Sequence, residues 1–244
     1  MALRIGIDLD GVLADMNAAL DHHADQLFGP APNAPTPSAP EPARDADAQA
    51  SVAPEAVSGK TPLNLRRRLT ERQHRRLWRR IRAIDGFWEQ LEETEPGIVS
   101  RLATLATERR WEIIFLTKRP TTAGATSQIQ SQRWLASKGF PLPSVFVVTG
   151  SRGLIATALA LDVVVDDRPE NCVDVAIDSP ARTIAVFRET QPPPPTFLKT
   201  MGVDLVQSTN ACFDLLVEID AKATQRPGPI ERLMRKVGLR QART

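Results

Sequence analysis

The chain has 244 residues, of which 42% are hydrophobic, and this is enough for one core domain with an accessory element. Lysine and arginine number 31 against 29 acidic residues, so the net charge of +2 does not favour nucleic-acid binding. Cys172 and Cys212 lack metal-ligand spacing and are typical of reduced thiols. No segment has the pattern of a signal peptide or a membrane span, so we expect a cytoplasmic protein.

Short apolar segments predict six strands. Leu3–Leu9, followed by Asp10 and Gly11, fits a buried strand that enters a tight turn. Similar segments cover residues 112–117, 144–149, 162–165, 183–187 and 204–207. Helical patterns lie between them, at residues 126–138, 152–161 and 210 to about 221. This alternation predicts an α/β fold with a parallel sheet that has helices on both faces.

A long segment separates the first two predicted strands. It exceeds an ordinary crossover connection, so we expect a small helical cap inserted after the first strand. Residues from about 30 to 60 are rich in proline and alanine, and they predict a disordered insertion within this cap. The predicted domains are residues 1–15 of the core, a cap at 16–98, the remaining core at 99–221 and a basic tail at 222–244.

Arginines crowd one part of the predicted cap. They are Arg66, Arg67, Arg68, Arg72, Arg75, Arg76, Arg79, Arg80 and Arg82. Apolar residues at helical spacing, from Leu77 to Leu91, predict helical structure here, which Gly86 interrupts. The arginines form a solvated face, a positive lid for an anionic substrate, or a nucleic-acid patch. Nucleic-acid binding is the least favoured of these, because aromatic side chains for base stacking are scarce.

Two acidic pairs follow predicted strands. Asp8 and Asp10 are separated by one residue of an extended segment, so their side chains point the same way. Such a pair suits either a divalent cation or separate nucleophile and acid–base roles. Asp166 and Asp167 follow another strand, and ligands bind at the carboxyl ends of parallel strands. We therefore expect the four acids to share one site, where their hard oxygens favour Mg²⁺.

Polar and basic residues follow other predicted strands. Thr117 ends the second strand, and its hydroxyl is a candidate ligand for a phosphoryl oxygen. Arg152 is the candidate cation for a transferring phosphoryl group, with Lys118 and Arg119 as alternatives. Taken alone, Thr117 and Arg152 fit an ordinary strand-end hydroxyl and a surface charge equally well. The neighbouring acids favour the functional interpretation.

Together these motifs resemble those of the haloacid dehalogenase-like (HAD) superfamily. Its first motif is similar to the segment from Asp8 to Asp15 (DLDGVLAD), and its second is similar to Phe115-Leu-Thr117. Its fourth motif is similar to the segment from Val165 to Pro169 (VDDRP). The third motif usually supplies a lysine, and Arg152 stands at the nearest match. The combination is far more specific than any one motif.

The resemblance covers about residues 3–15 and 86–187, and it implies a Rossmann-like core with an inserted cap. It also implies a phosphohydrolase in which Asp8 attacks phosphorus to form an aspartyl-phosphate. Asp10 then has the acid–base role, while Thr117, Lys118 and Arg152 bind the phosphate. The metal ligands implied for Mg²⁺ are Asp8, Asp10 through its backbone carbonyl, Asp166 and Asp167.

Two shorter segments most resemble the 5′(3′)-deoxyribonucleotidase branch of this superfamily. They are residues 86–92 (GFWEQLE) and 166–171 (DDRPEN). The substrate implied is a small phosphorylated metabolite such as a (deoxy)nucleoside monophosphate. Because arginine replaces lysine at position 152, the alternative is a weak or inactive protein that binds a partner or nucleic acid through its arginine-rich cap. The sequence does not indicate an oligomeric state.

Overall fold

The structure, a computed structural model, describes residues 2–31, 68–188 and 193–225. Its strands are β1 (Arg4–Asp8), β2 (Glu112–Thr117), β3 (Ser144–Val147), β4 (Val163–Asp166), β5 (Arg182–Val186) and β6 (Asp204–Val206). All six correspond to the strands expected from the sequence, with ends that differ by at most two residues. The apolar segments were therefore a sound guide to the sheet.

The six strands form one parallel sheet in the order β3-β2-β1-β4-β5-β6. Every residue of β4 is buried, as is most of β1, which is typical of a sheet covered on both faces. The expected α/β architecture is thus confirmed. The strand order reverses between β1 and β4, and ligands of such sheets bind in the crevice at that switch point.

The helices are α1 (Met16–Phe28), α2 (Glu71–Arg82), α3 (Ile98–Arg109), α4 (Ser127–Ser137), α5 (Arg152–Ala158), α6 (Pro169–Asp178), α7 (Phe197–Thr200) and α8 (Thr209–Gln225). A 3₁₀ turn covers Phe87–Glu89. The helix expected at 152–161 is shorter than predicted because Ala160 adopts a positive φ of 49°. The last helix continues beyond its predicted end near residue 221. None of the helices described here has the length and apolarity needed to cross a bilayer.

The sheet packs closely against its helices. Leu116, Val164, Ala156 of α5 and Val175 of α6 belong to one buried apolar cluster, so both helices lie on the same side of the sheet. At Gly6 of β1, an added Cβ would lie 2.7 Å from Leu161 Cδ1. Glycine at this position therefore lets the chain that enters β4 approach the central strand.

The chain divides into two compact units, Met1–Met16 with Ile81–Thr244, and Asn17–Arg80. The second unit contains most of α1 and α2, with Leu20, Ala24 and Leu77 buried. Residues 81–98, which we assigned to the cap, belong to the unit that contains the sheet. Residues 32–60 of the predicted insertion and residues 226–244 of the predicted tail lie outside the described residues.

Glu95 caps the last helix from a distant part of the chain. Its carboxylate accepts hydrogen bonds from the backbone N–H of Thr209 (2.6 Å) and of Asn210 (3.0 Å). Arg188 lies 3.5 Å from the same carboxylate. Burial acts to raise the pKa of Glu95, but the backbone hydrogen bonds and Arg188 outweigh it, so the pKa lies below its ordinary value. The first turn of α8 is thus tied to the loop before α3.

We expect Glu95→Ala to lower the free energy of unfolding at pH 7 by about 1–2 kcal/mol, because it leaves helix N–H groups without an acceptor. The lowered pKa means that this contribution is present at neutral pH and is lost as pH falls through the folded-state value. Urea unfolding of both proteins between pH 7 and about pH 3 measures the effect. Glu92→Ala, which removes a carboxylate that is 86% exposed, is the control. Equal losses in the two variants would contradict the capping role.

Candidate active site

Three acidic residues meet where β1 and β4 end. Asp8 is the last residue of β1, Asp166 is the last residue of the adjacent β4, and Asp167 follows it. One carboxylate oxygen from each of the three lies within 4.8 Å of the others. The structure therefore brings these predicted site residues together from two distant parts of the sequence.

The pKa values of all three acids are raised, so their surroundings do not fully compensate three negative charges. Burial and the charge of Asp166 raise the pKa of Asp8 well above its ordinary value, although Arg152 counteracts this. Burial, reinforced by Asp166, raises the pKa of Asp167 to about 8. The Oδ1 atom of Asp167 is buried and has no hydrogen-bond partner among the residues described. Clustered carboxylate oxygens with an unused acceptor fit a hard divalent cation such as Mg²⁺.

Arg152 links two of these acids. It is the first residue of α5, and its side chain is 1% exposed. Its Nη2 donates to Asp8 Oδ1 at 2.5 Å, and its Nε lies 3.6 Å from Asp166 Oδ2. Its Nη1 is buried without a hydrogen-bond partner in the described part of the chain. Arg152 therefore lies beside Asp8 and Asp166, and its Nε, like its Nη1, is buried without a hydrogen-bond partner in the described part of the chain.

Lys118 reaches Asp166 through an asparagine that we did not single out from the sequence. Its Nζ donates to Asn171 Oδ1 at 3.0 Å, and Asn171 Nδ2 donates to both carboxylate oxygens of Asp166 at 3.0 Å. Burial, followed by the charge of Arg152, lowers the pKa of Lys118. Asn171 lies in the first turn of α6, which begins at Pro169, so the acidic motif that precedes this helix was the available signal.

Asp10 has different partners from the other acids. Arg119 Nε donates to both of its carboxylate oxygens at 3.0 Å, and Arg119 Nη2 donates to Oδ1 at 2.8 Å. The Thr117 hydroxyl donates to Asp10 Oδ2 at 3.3 Å. The group of three close acids does not include the Asp10 carboxylate. Thr117 therefore contacts the acid expected to transfer protons, and the roles of Thr117 and Asp10 as phosphate and metal ligands stay predictions.

A tight turn places these groups side by side. Gly11 has a φ of 86°, and a Cβ at this position would lie only 1.9 Å from Asp167 Oδ2. Only glycine combines this conformation with so close an approach. Arg188 donates to the Gly11 carbonyl, and the Thr209 hydroxyl donates to the Val12 carbonyl at 2.6 Å. The backbone after Asp10 is thus fixed by residues close to β5 and α8.

Comparison with known proteins identifies the fold. No family model and no curated protein matches the sequence. Among solved structures, a Thermotoga maritima protein provisionally assigned as a beta-phosphoglucomutase has 16% identity and a TM-score of 0.52, over 89% of this chain and 99% of that one. A HAD hydrolase of family IA, variant 3, from Entamoeba histolytica has 12% identity and a TM-score of 0.45, over 86% and 95% of the two chains.

The first of these similarities, together with the six-stranded parallel sheet, shows that the chain has the α/β HAD-like fold. It confirms the fold that the sequence motifs implied. At this level of identity the similarity describes architecture, and activity must be argued from the site itself.

We predict that Asp167→Asn stabilises the metal-free protein at pH 8. Since the pKa of Asp167 in the folded protein is raised to about 8, well above its value in the unfolded chain, this group costs stability as pH rises from about 4 toward 8. Asparagine removes the cost, so the midpoint of thermal unfolding in EDTA at pH 8 should rise by roughly 2–6 °C. The difference should shrink at about pH 5, where the carboxyl group is protonated in the folded protein.

Asp178→Asn, in the same unit but on an exposed part of α6, is the matched control and should change little. A wild-type protein that is equally stable at both pH values in EDTA, with no gain from Asp167→Asn, would contradict the prediction.

Proposed function

We propose that the protein is a magnesium-dependent phosphatase that hydrolyses a small phosphomonoester through an aspartyl-phosphate. One observation carries this proposal: Asp8 lies among three close acids beside Arg152, while a second carboxylate, that of Asp10, is bound separately by Arg119. The reaction needs a nucleophile and an acid–base group in distinct environments. The two aspartates of the first motif have such environments.

Asp8, Asp166 and Asp167 would hold Mg²⁺, since their oxygens are close together and one of them lacks a partner. When bound, the ion supplies positive charge that offsets the acids and the phosphoryl oxygens. Arg152 Nη1 would donate to a phosphoryl oxygen, and Lys118 would add positive charge near the same position. The Thr117 hydroxyl, which donates to Asp10, would turn to bind a phosphoryl oxygen instead.

The proposed reaction has two steps. In the first, a carboxylate oxygen of Asp8 attacks phosphorus, the bond to the leaving oxygen breaks, and Asp10 gives that oxygen its proton. In the second, Asp10 takes a proton from water, and the water oxygen attacks phosphorus. The bond between phosphorus and Asp8 then breaks, which releases inorganic phosphate and restores both aspartates. The sum is hydrolysis of one ester bond by one water.

A (deoxy)nucleoside monophosphate is the proposed substrate, on the basis of the motif resemblance to the 5′(3′)-deoxyribonucleotidase branch. Cys172 and Cys212 are free and buried, which is compatible with action in the reducing cytoplasm. Phosphate release from deoxynucleoside monophosphates and from sugar phosphates, measured side by side, would distinguish a nucleotidase from a sugar phosphatase.

Asp8→Asn should lower kcat for Mg²⁺-dependent hydrolysis of p-nitrophenyl phosphate by at least about 10³-fold, because the amide cannot act as the nucleophile. The substitution keeps the side-chain shape, and circular dichroism checks that the fold is retained. Asp178→Asn is the control and should keep wild-type turnover. Unchanged turnover in Asp8→Asn would refute the proposed nucleophile.

A second candidate function rests on the surface of α2. Five arginines of the second unit are exposed on this helix, and they are Arg72, Arg75, Arg76, Arg79 and Arg80. Glu71 is the one acidic residue of α2, and it pairs with Arg75 at 3.5 Å. Leu77 is buried on another side of the helix. A helix with five exposed arginines and one acidic residue of its own favours a protein that binds a polyanion and keeps the HAD-like fold without its activity.

Salt dependence separates the two functions. If polyanion binding is the function, affinity for a single-stranded oligonucleotide falls steeply with salt, and replacing Arg72, Arg76 and Arg79 by glutamate abolishes retention. Arg133→Glu, an exposed arginine on α4, is the control. Phosphatase turnover without salt-dependent retention would eliminate this second candidate. Retention without turnover over a broad panel of phosphate esters would support it.

A further inference from the structure

Arg119 is a buried arginine with a partner at the proposed site. Its side chain is 0% exposed, although it lies on the segment that follows the end of β2. Three short contacts join its Nε and Nη2 atoms to the two oxygens of Asp10. Such a planar fork fixes the orientation of a carboxylate as well as its position, which a lysine ammonium group does not do.

Arg119 is itself fixed in place by groups outside the acid cluster. Its Nη1 donates to the Ser131 hydroxyl at 2.9 Å, and Ser131 in turn donates to the Ser127 carbonyl at 2.7 Å. Its guanidinium carbon lies 4.9 Å from the centre of the Trp88 ring and 5.7 Å from that of Trp134. Both distances fit cation–π contacts.

The two tryptophans are also restrained. Trp88 Nε1 donates to the Pro120 carbonyl at 3.0 Å, and Trp134 Nε1 donates to the Leu91 carbonyl at 2.7 Å. Both rings are fully buried. The 3₁₀ turn and α4 therefore form a rigid setting in which Arg119 has little freedom to change its conformation.

This setting is difficult to explain by stability alone. A buried ion pair gains little over well-packed apolar side chains, because the charges lose their hydration. What the pair does provide is a single orientation of the Asp10 carboxylate, maintained by groups that do not contact the three clustered acids. Precise orientation of an acid–base group is worth orders of magnitude in rate when a proton must be transferred.

We propose that Arg119 is a positioning residue that orients Asp10 for proton transfer, with Ser131, Trp88 and Trp134 as its support. This inference rests on the proposed function. Because Asp10 must remove a proton from water in the second step, hydrolysis of the aspartyl-phosphate depends on Arg119. The first step depends on it less when the leaving group is p-nitrophenolate, which departs readily without a proton.

The test compares Arg119→Ala, Arg119→Lys and wild type with p-nitrophenyl phosphate and Mg²⁺. We expect kcat to fall by about 10²-fold in Arg119→Ala, with no rise in KM. Rapid mixing should show a burst of p-nitrophenolate close to one equivalent of enzyme, because the phosphoenzyme now accumulates. Millimolar guanidinium ion should restore part of the rate by filling the vacated position. Arg119→Lys should lose about 10-fold, since it keeps the charge without the fork.

Arg133→Ala, which removes an exposed arginine of α4, is the matched control and should behave as wild type. Crystal structures of Arg119→Ala and wild type give a readout that does not depend on turnover, and we expect the Asp10 carboxylate to leave its wild-type rotamer. Thermal unfolding shows whether each variant is folded. If Arg119→Ala does not fold, Arg119→Lys carries the same test.

Three results would overturn this proposal while leaving the proposed phosphatase intact. They are an unchanged kcat, a higher KM at constant kcat, or an Asp10 rotamer that stays the same without Arg119. A wild-type protein without any phosphatase activity would overturn both proposals together. The two failures are therefore distinguishable.

Discussion

The organisation of the site depends on one electrostatic constraint, the confinement of several carboxylates in the crevice between β1 and β4. Asp8, Asp166 and Asp167 are close enough, and buried enough, that burial raises the pKa of each of them. Charge of this kind is tolerated only where cations compensate it. Arg152 and Lys118 supply part of the positive charge around these acids, and the proposed divalent ion would supply the rest.

Two arginines serve the two aspartates of the first motif separately. Arg152 comes from the start of α5 and pairs with Asp8, whereas Arg119 comes from the end of β2 and pairs with Asp10. Both arginines are buried, whereas Asp8 is buried and Asp10 is partly exposed, so each aspartate is held by its own arginine in a different local environment. Two carboxylates that are two residues apart in the sequence thereby have different partners and different burial, and the proposed two-step reaction requires distinct environments of this kind.

Short-range patterns in the sequence predicted much of the fold and part of the site. The six strands follow from buried apolar segments, and the position of Asp8 and Asp166 at strand ends follows from the geometry of parallel sheets. The patterns did not predict α1, α3, α6 or α7. Helices in proteins are stabilised mainly by tertiary packing of their apolar residues, which local patterns do not contain. Nor did the patterns single out Asn171, although it ends the segment 166–171 (DDRPEN), because only the folded chain shows that its amide joins Lys118 to Asp166.

The sequence by itself determined the order of strands along the chain, the clustering of acids at one edge and the presence of a cation near position 152. Only the tertiary structure decided which cation meets which acid. Arg119 is adjacent to Lys118, yet it turns inward between two tryptophans, whereas Lys118 reaches Asn171. That choice depends on where α4 and the 3₁₀ turn place Trp134 and Trp88, and long-range packing of this kind leaves no local trace in the sequence.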